Sequence, residues 1–452
     1  MLLSLKGKNE ILTLNPKFGF QPRFVVYLSS LGIFRETFRN RNILVLTVTQ
    51  TLFMFTAFLW WPYRSLFILE LGASKELLGM LLMVETVSAI IFQLPGGILA
   101  DRIGRRQIIL ISSALRIISP IIYLFSTSWI HITPALIFAS AGMLGMPAQT
   151  ALIAESLPKG GRSSGFAAFR TITSIPMIIT SLMGGVLMDY YGVLRGCRLV
   201  LMASIVMTVL SLVLRWKYIT ETLEKNQDSS FQGPSIMEQV KGLGNLSRDI
   251  WVIIVVAAVS SFAARGVMSF MVIYGVEVVG LTKTQWGIIG TIVSVITTLL
   301  TTPSGILADR IGRKPLIIAS RTIASVSTLG YTFSENFTHM CVTRGLGGIG
   351  SGLGGAMWGP MGGPVWQALV ADLTPPSERA KIMGFIGTIG SIVSTPASWV
   401  GGYMYENISP ALPFRASFIL DTIGTVIFIF FLREPKEESV VLEGPDTSQR
   451  EL

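Results

Sequence analysis

One charged ten-residue stretch occurs twice in this 452-residue chain, each time between two long apolar runs. Residues 97–106 read GILADRIGRR, and residues 305–314, 208 positions later, read GILADRIGRK. A short polar turn between apolar runs of about 20 residues is typical of a helical hairpin that crosses a bilayer. The return of the same hairpin half a chain later predicts two homologous helical halves.

The composition favours a membrane protein. Half of the residues are hydrophobic and 14% are charged, whereas soluble domains carry about 25% charged residues. The net charge of +10 does not indicate nucleic-acid binding, because the basic residues form short clusters beside apolar runs instead of one basic face. The two cysteines and two histidines fit no metal-ligand spacing, so we expect neither a metal nor another cofactor.

The apolar runs predict twelve membrane spans. They lie near residues 43–69, 77–99, 107–125, 132–154, 164–188, 194–216, 250–279, 286–307, 315–333, 340–371, 382–405 and 412–432. The predicted domains are an N-terminal segment with an interfacial helix (1–41), a six-helix half (42–217), a polar linker (218–248), a second six-helix half (249–433) and a disordered tail (434–452).

Lysine and arginine are concentrated on one side of these spans, with 25 on that side and seven on the other. The positive-inside rule therefore predicts that both termini lie in the cytoplasm. We expect a monomeric, multi-pass protein of the cell membrane, whose partners are the lipid bilayer and a small-molecule substrate and not a nucleic acid.

A second repeat supports the duplication. Residues 151–158 (ALIAESLP) match residues 368–375 (ALVADLTP), and Gly184-Gly185 matches Gly401-Gly402 at the same offset of 217. The paired G-x-x-x-D-R-x-G-R-[RK] stretches, here called the signature loops, resemble the loop between helices 2 and 3 of major facilitator superfamily transporters. The resemblance covers about residues 41–433. It implies an all-α membrane protein with the major facilitator fold, in which 12 transmembrane helices form two pseudo-symmetric six-helix halves and substrate binds between them.

The same resemblance implies a conformational latch at the signature loops. In the family, the loop aspartate meets the start of a helix in the opposite half, which here is span 11 for Asp101 and span 5 for Asp309. Arginines of the loops and of the second repeat extend this network; a role in setting topology alone is the alternative. The predicted latch residues are Gly97, Asp101, Arg105, Glu155, Arg162, Gly305, Asp309, Arg313, Asp372 and Arg379.

Charged residues inside the spans are candidates for substrate binding and ion coupling, because ionisable groups are costly in a bilayer. Glu85 and Arg116 lie at comparable depths, about 21 Å and 15 Å from the signature loop at 1.5 Å per residue. We expect them to pair across the hairpin of spans 2 and 3, either as a structural ion pair or with Glu85 as the carrier of a coupling proton. Arg321 and Asp421 are expected to form a structural pair in the second half.

Further candidates lie in the spans that the resemblance places around the cavity. They are the arginines Arg64, Arg170, Arg265 and Arg344, which suit a carboxylate or phosphate, and Trp358 and Trp366 in the glycine-rich span 10. For Arg64 and Arg344 the alternative is a side chain that reaches back to the membrane surface. For span 10 the alternative to a flexible gate with an aromatic wall is close helix packing at small residues.

The expected function is secondary active transport of a small organic solute by alternating access. A proton-coupled exporter of amphipathic or drug-like compounds is the first interpretation, and an organic-anion transporter or exchanger that uses the arginines is the second. A membrane receptor or sensor that does not transport is a third. No P-loop, H-E-x-x-H motif or nucleophile set is present, so we do not expect an enzyme.

Overall fold

The computed structural model describes residues 37–157, 162–222, 246–355, 363–375 and 378–433. These residues form twelve helices and, within the described ranges, no β-strand. The helices are α1 (Arg41–Glu70), α2 (Lys75–Ile103), α3 (Arg105–Phe125), α4 (Trp129–Ser156), α5 (Arg162–Ser174 and Pro176–Tyr191), α6 (Val193–Tyr218), α7 (Arg248–Val278), α8 (Lys283–Ile311), α9 (Arg313–Gly330), α10 (Phe337–Gly352 and Pro364–Asp372), α11 (Arg379–Ser394 and Ala397–Asn407) and α12 (Leu412–Phe431). The predicted interfacial helix, most of the linker, the tail and Trp358 lie outside the described residues.

Nine of the described helices, α1 to α8 and α12, are long and apolar enough by themselves to cross a bilayer. The remaining three are shorter or interrupted. The regular helix of α9 is 18 residues long, α10 is divided between Gly352 and Pro364, and α11 is divided at Pro396. Proline removes a backbone N–H donor and disfavours the helical conformation of the residue before it, which accounts for breaks at these positions.

Local sequence signals fix where several helices begin. The Ser74 side chain accepts a hydrogen bond from the Leu77 N–H at the start of α2, and Thr282 and Gln285 form a reciprocal capping box at the start of α8. Inside the signature loops, Gly104 and Gly312 have φ values of 115° and 91°. This backbone region favours glycine, so the glycine of D-R-x-G-R makes the sharp turn from α2 to α3 and from α8 to α9.

Three apolar clusters show how the two halves meet. One contains buried side chains from both halves, among them Tyr63, Phe67, Phe270 and Tyr405, all at the end of the molecule opposite to the signature loops. At the signature-loop end, by contrast, each half has its own cluster, within residues 43–219 in the first and within 250–432 in the second. The halves therefore share a core at one end, here called the closed end, and have separate cores at the other.

The most extensive contacts between the halves are made by two helix pairs. Helix α5 of the first half packs along α8 of the second, and α11 of the second packs along α2 of the first. Because α2 runs away from the closed end and α11 runs towards it, each pair is antiparallel. The two pairs are related by the same duplication that relates the signature loops.

Candidate functional site

At the closed end, two carboxylates each cap the N-terminus of a helix that belongs to the opposite half. Asp189, near the end of α5, accepts hydrogen bonds from the N–H groups of Lys283 (3.0 Å) and Thr284 (2.7 Å) at the start of α8. Glu406, near the end of α11, accepts one from the N–H of Glu76 (2.8 Å) in α2. The carboxylates are 217 positions apart, and the capped residues 76 and 284 are 208 apart, which are the offsets of the two sequence repeats. Negative charge at a helix N-terminus is stabilising.

Glycines let the same helices approach closely. A Cβ atom at Gly185 of α5 would overlap the carbonyl oxygen of Lys283, and one at Gly402 of α11 would overlap that of Lys75. Gly79 and Gly287 leave equivalent space on α2 and α8 for the backbones of α11 and α5. The second glycine of each Gly-Gly pair at offset 217 is therefore part of the contact between the halves at the closed end.

Polar side chains add to this closure. The Tyr63 hydroxyl donates to the carbonyl oxygen of Ser181 (2.8 Å) and lies 3.1 Å from that of Lys283. Lys75 forms an ion pair with Glu277 of α7 at 3.1 Å, so this pair also joins the two halves.

The signature-loop end has a different arrangement. The predicted contacts of Asp101 with the start of α11 and of Asp309 with the start of α5 are not made in the described part of the chain; the Asp101 side chain is 71% exposed and lies 3.9 Å from Arg105. The arginines instead form ion pairs within their own halves, Arg105 with Glu155 and Arg313 with Asp372. The physical reason is the separation of the two cores at this end.

The other predicted latch residues have local environments. A Cβ atom at Gly97 would meet only Pro147, at 3.8 Å, and one at Gly305 would meet no atom within 4 Å. Arg379 donates to the carbonyl oxygen of Ala371 at 2.9 Å, next to the end of α10. The side chain of Arg162 is outside the described residues. The latch at this end stays a prediction for a conformation in which the halves meet here.

Two basic residues of the signature loops have a role that the sequence reasoning missed. Arg106 donates to the carbonyl oxygens of Trp216 (2.7 Å) and Ile219 (2.9 Å) at the end of α6. Lys314, 208 positions later, donates to those of Ile429 (3.0 Å) and Leu432 (2.7 Å) at the end of α12. Cations are favourable at the C-terminus of a helix. The last position of the motif thus caps the last helix of its own half.

The predicted pairing of Glu85 with Arg116 is wrong in this structure. Glu85 is held by Arg64 of α1 in a two-pronged ion pair, with N–O distances of 2.8 and 2.9 Å. Arg116 instead stacks on the ring of Phe53 at 4.5 Å and donates to the carbonyl oxygen of Gly142 at 3.2 Å. Comparable depth along two helices was not enough to predict the partner, because the direction in which each side chain leaves its helix decides which residue it meets.

Next to the Arg64–Glu85 pair, α7 of the second half contacts α2. Arg265 donates to the hydroxyl of Thr86, the residue after Glu85, at 2.8 Å, and lies within electrostatic range of both Glu85 and Arg64. Two arginines, one from each half, thereby approach one carboxylate on α2. The side chains of Arg64 and Glu85 are 12% and 27% exposed, so the pair is partly shielded from solvent.

The other candidates are separate from this group. Arg344 lies 5.5 Å from the ring of Trp286, with a nitrogen 3.5 Å from the sulfur of Met271, and Arg170 is exposed on α5. Trp366 is 1% exposed and packs against Phe428 in the core of the second half. It is therefore not part of an aromatic cavity wall, contrary to the expectation. The expected pair of Arg321 and Asp421 is present at 2.9 Å.

Comparison with known proteins agrees with this architecture. A family model described as Major Facilitator Superfamily matches residues 46–296 and 277–450. A Na(+), Li(+), K(+)/H(+) antiporter of Planococcus maritimus is 31% identical over 236 residues, which are 49% of this chain and 54% of the antiporter. The quinolone resistance protein NorA of Staphylococcus aureus is 26% identical over 160 residues, 35% of this chain and 39% of NorA. The matched regions thus span about half, or less, of these two relatives.

A solved structure shares the fold over nearly its whole length. The D-xylose-proton symporter superposes with a TM-score of 0.66 at 18% identity, and the match covers 91% of this chain and 99% of the symporter.

Proposed function

Because the chain belongs to the Major Facilitator Superfamily, we propose that it exports a small amphipathic or drug-like solute by alternating access, coupled to protons. Membership makes the chain an integral, multi-pass membrane transporter with twelve helices in two halves, and not an enzyme. Lipid and a small-molecule substrate are its partners. The direction of transport, the coupling ion and the class of solute are the proposed parts.

The observation that carries alternating access is closure at one end only. The apolar core is continuous between the halves at the closed end and divided at the signature-loop end. With both termini in the cytoplasm, as the distribution of Lys and Arg predicts, the divided end faces the cytoplasm. The structure then corresponds to the state that accepts solute from inside the cell, as an exporter requires.

Proton coupling is assigned to Glu85. Its carboxylate lies on α2, a helix of the interface between the halves. It forms an ion pair with Arg64 of its own half, and the positive charge of Arg265 from the other half lies nearby. Protonation of Glu85 would remove the negative charge that holds Arg64 and would leave two positive charges near one another. This changes the balance of charge between the halves, which is the requirement for a proton to bias one conformation over another.

The names of the two relatives are in line with this proposal, since one denotes exchange of cations for protons and the other resistance to quinolones. An organic-anion transporter is the second candidate, and one observation favours it. The described spans contain more arginines than carboxylates away from the helix ends. Against Glu85 and Asp421 there are six arginines, of which only Arg64 and Arg321 form ion pairs there; the other four are Arg116, Arg170, Arg265 and Arg344. An excess of positive charge favours a solute with a carboxylate or phosphate.

The test is transport in reconstituted vesicles with an imposed pH gradient, using a solute first selected by thermal shift from lipophilic cations and small organic anions. Glu85→Gln should abolish accumulation driven by the pH gradient and retain exchange of solute at equal pH. The matched control is Glu70→Gln, because Glu70 also accepts a hydrogen bond within the first half, from the N–H of Leu194, but at the closed end.

Accumulation that persists in Glu85→Gln would refute the assignment of the proton to Glu85. A solute panel in which only anions stabilise the protein, with loss of that stabilisation in Arg265→Gln, would replace the exporter of amphipathic compounds with the second candidate.

A further inference from the structure

The first half contains a buried arginine with no carboxylate beside it. Arg215, near the end of α6, is 4% exposed. Its guanidinium donates to the hydroxyl of Thr49 on α1 and to that of Ser113 on α3, both at 2.9 Å. Two neutral hydroxyls satisfy donors but do not neutralise the charge, and buried charges in proteins are normally paired.

A second guanidinium lies near the first. Arg116 lies one helical turn beyond Ser113 on α3, and the ring that it covers, Phe53, lies one turn beyond Thr49 on α1, so the two guanidinium groups occupy neighbouring turns of the same helices. The contacts of Arg116 are the face of Phe53 and one carbonyl oxygen, that of Gly142. No carboxylate of the described ranges lies within ion-pair distance of either arginine. Two like charges therefore share the space between α1, α3, α4 and α6 without an internal counter-ion.

The second half shows how the equivalent place is filled. Ser113 corresponds to Arg321 at the offset of 208. Arg321 of α9 binds Asp421 of α12 at 2.9 Å and the hydroxyl of Ser260 on α7 at 2.7 Å. The serine of α7 also donates to the same aspartate, at 2.7 Å. In both halves an arginine joins the first, third and sixth helices, but only the second half supplies the carboxylate.

We propose that an anionic group, a carboxylate or a phosphate, binds at Arg116 and Arg215 and supplies the negative charge that Asp421 supplies in the second half. Arg215 is buried and Arg116 is partly exposed, so the anion enters on the side of Arg116. Guanidinium groups bind carboxylates and phosphates through paired hydrogen bonds. The anion is part of the transported solute or a free ion; only the first of these sources rests on the proposed transport function.

The test uses the full chain purified in detergent, with thermal unfolding followed at constant ionic strength. The probes are benzoate as an organic carboxylate, inorganic phosphate, and chloride. We expect benzoate or phosphate to raise the unfolding midpoint and Arg116→Gln to weaken the apparent affinity by roughly tenfold or more, the equivalent of one charged hydrogen bond. Arg415→Gln, which removes an exposed arginine near the start of α12, should respond like the unmodified protein.

A second variant supplies the missing charge from within. Ser113→Asp places a carboxylate where the serine hydroxyl now meets Arg215, so it should raise the midpoint in anion-free buffer and abolish the response to benzoate and phosphate. A response to benzoate alone indicates the solute as the source, and a response to phosphate indicates a free ion.

The proposal is overturned if neither benzoate nor phosphate shifts the midpoint of the unmodified protein more than chloride does, or if Arg116→Gln responds as that protein does. Transport driven by the pH gradient is measured separately, so loss of the anion response with transport intact leaves the role of Glu85 unaffected.

Discussion

The two carboxylate caps at the closed end should hold the molecule in the conformation described. In Asp189→Ala the N–H groups of Lys283 and Thr284 lose their acceptor, and loss of such a cap costs about 0.5–2 kcal/mol. Both contacts join opposite halves, so the cost falls on this conformation alone. A change of about 1 kcal/mol shifts the ratio of the two conformations roughly fivefold, and about 2 kcal/mol, for Asp189→Ala with Glu406→Ala, shifts it roughly thirtyfold.

Distances between spin labels at the closed end measure this ratio. Labels at Tyr190 of the first half and Ile408 of the second occupy exposed positions and do not replace either cap. Cys197 and Cys341 are the free cysteines of the described chain and would be replaced first. We expect the population with a long label-to-label distance to increase in each single variant and further in the double variant.

Glu70→Ala is the matched control. Glu70 also accepts a backbone hydrogen bond at a helix start, from the N–H of Leu194 at 3.2 Å, but both residues belong to the first half. This variant should lower the unfolding midpoint and leave the distance distribution unchanged. If it moves the distribution as far as Asp189→Ala does, or if the double variant leaves it unmoved, the caps do not select the conformation.

Three further outcomes are expected. Gly185→Ala should open the closed end, because the added methyl group overlaps the carbonyl oxygen of Lys283. Gly305→Ala should not open it, because no atom lies within 4 Å of the added carbon. Distances between the same spin labels measure both outcomes. Lys314→Ala should destabilise the protein by about 1 kcal/mol through loss of its hydrogen bonds to the end of α12. The unfolding midpoint should therefore fall in Lys314→Ala, and fall less in Lys314→Arg, which keeps the charge. Trp366→Ala should cost about 3–5 kcal/mol and leave solute affinity unchanged in the folded fraction.

The repeats in the sequence predicted two homologous helical halves, and the resemblance of the signature loops to a known family implied the fold. The signature loops place a polar turn between two spans in each half, and the glycine in each turn adopts the positive φ that its position requires. The predicted limits of α2 and α8 were each short of the observed helices, which extend through the signature motif as far as Ile103 and Ile311. Charged residues at the ends of a span lower its hydropathy without ending the helix.

The partners of the intramembrane charges were less predictable. Residue spacing gave the depth of Glu85 in the membrane but not the side of α2 on which it lies. Glu85 lies on the side that faces α1, and its partner is therefore Arg64. The same limit applies to Trp366, whose span was identified but whose direction, towards Phe428 and the core, depends on how α10 packs. Arg215 was not among the predicted candidates because it is close to the end of its span, although its side chain extends inward to Thr49.

Asp189 and Glu406 were also missed, although their offset of 217 equals that of the neighbouring glycine pairs. Their position completes a reciprocal relationship. At the closed end the last turn of α11 caps the start of α2, and at the other end Asp101, in the last turn of α2, is expected to cap the start of α11. Asp189 and Asp309 have the same relationship on α5 and α8. Each antiparallel pair would then have one carboxylate cap at either end, and the described structure contains the caps of the closed end. In alternating access, the halves separate at one end of the molecule as they meet at the other. The change of conformation would therefore replace one pair of carboxylate caps by a chemically similar pair. This exchange would keep the two conformations close in free energy, as rapid alternation requires.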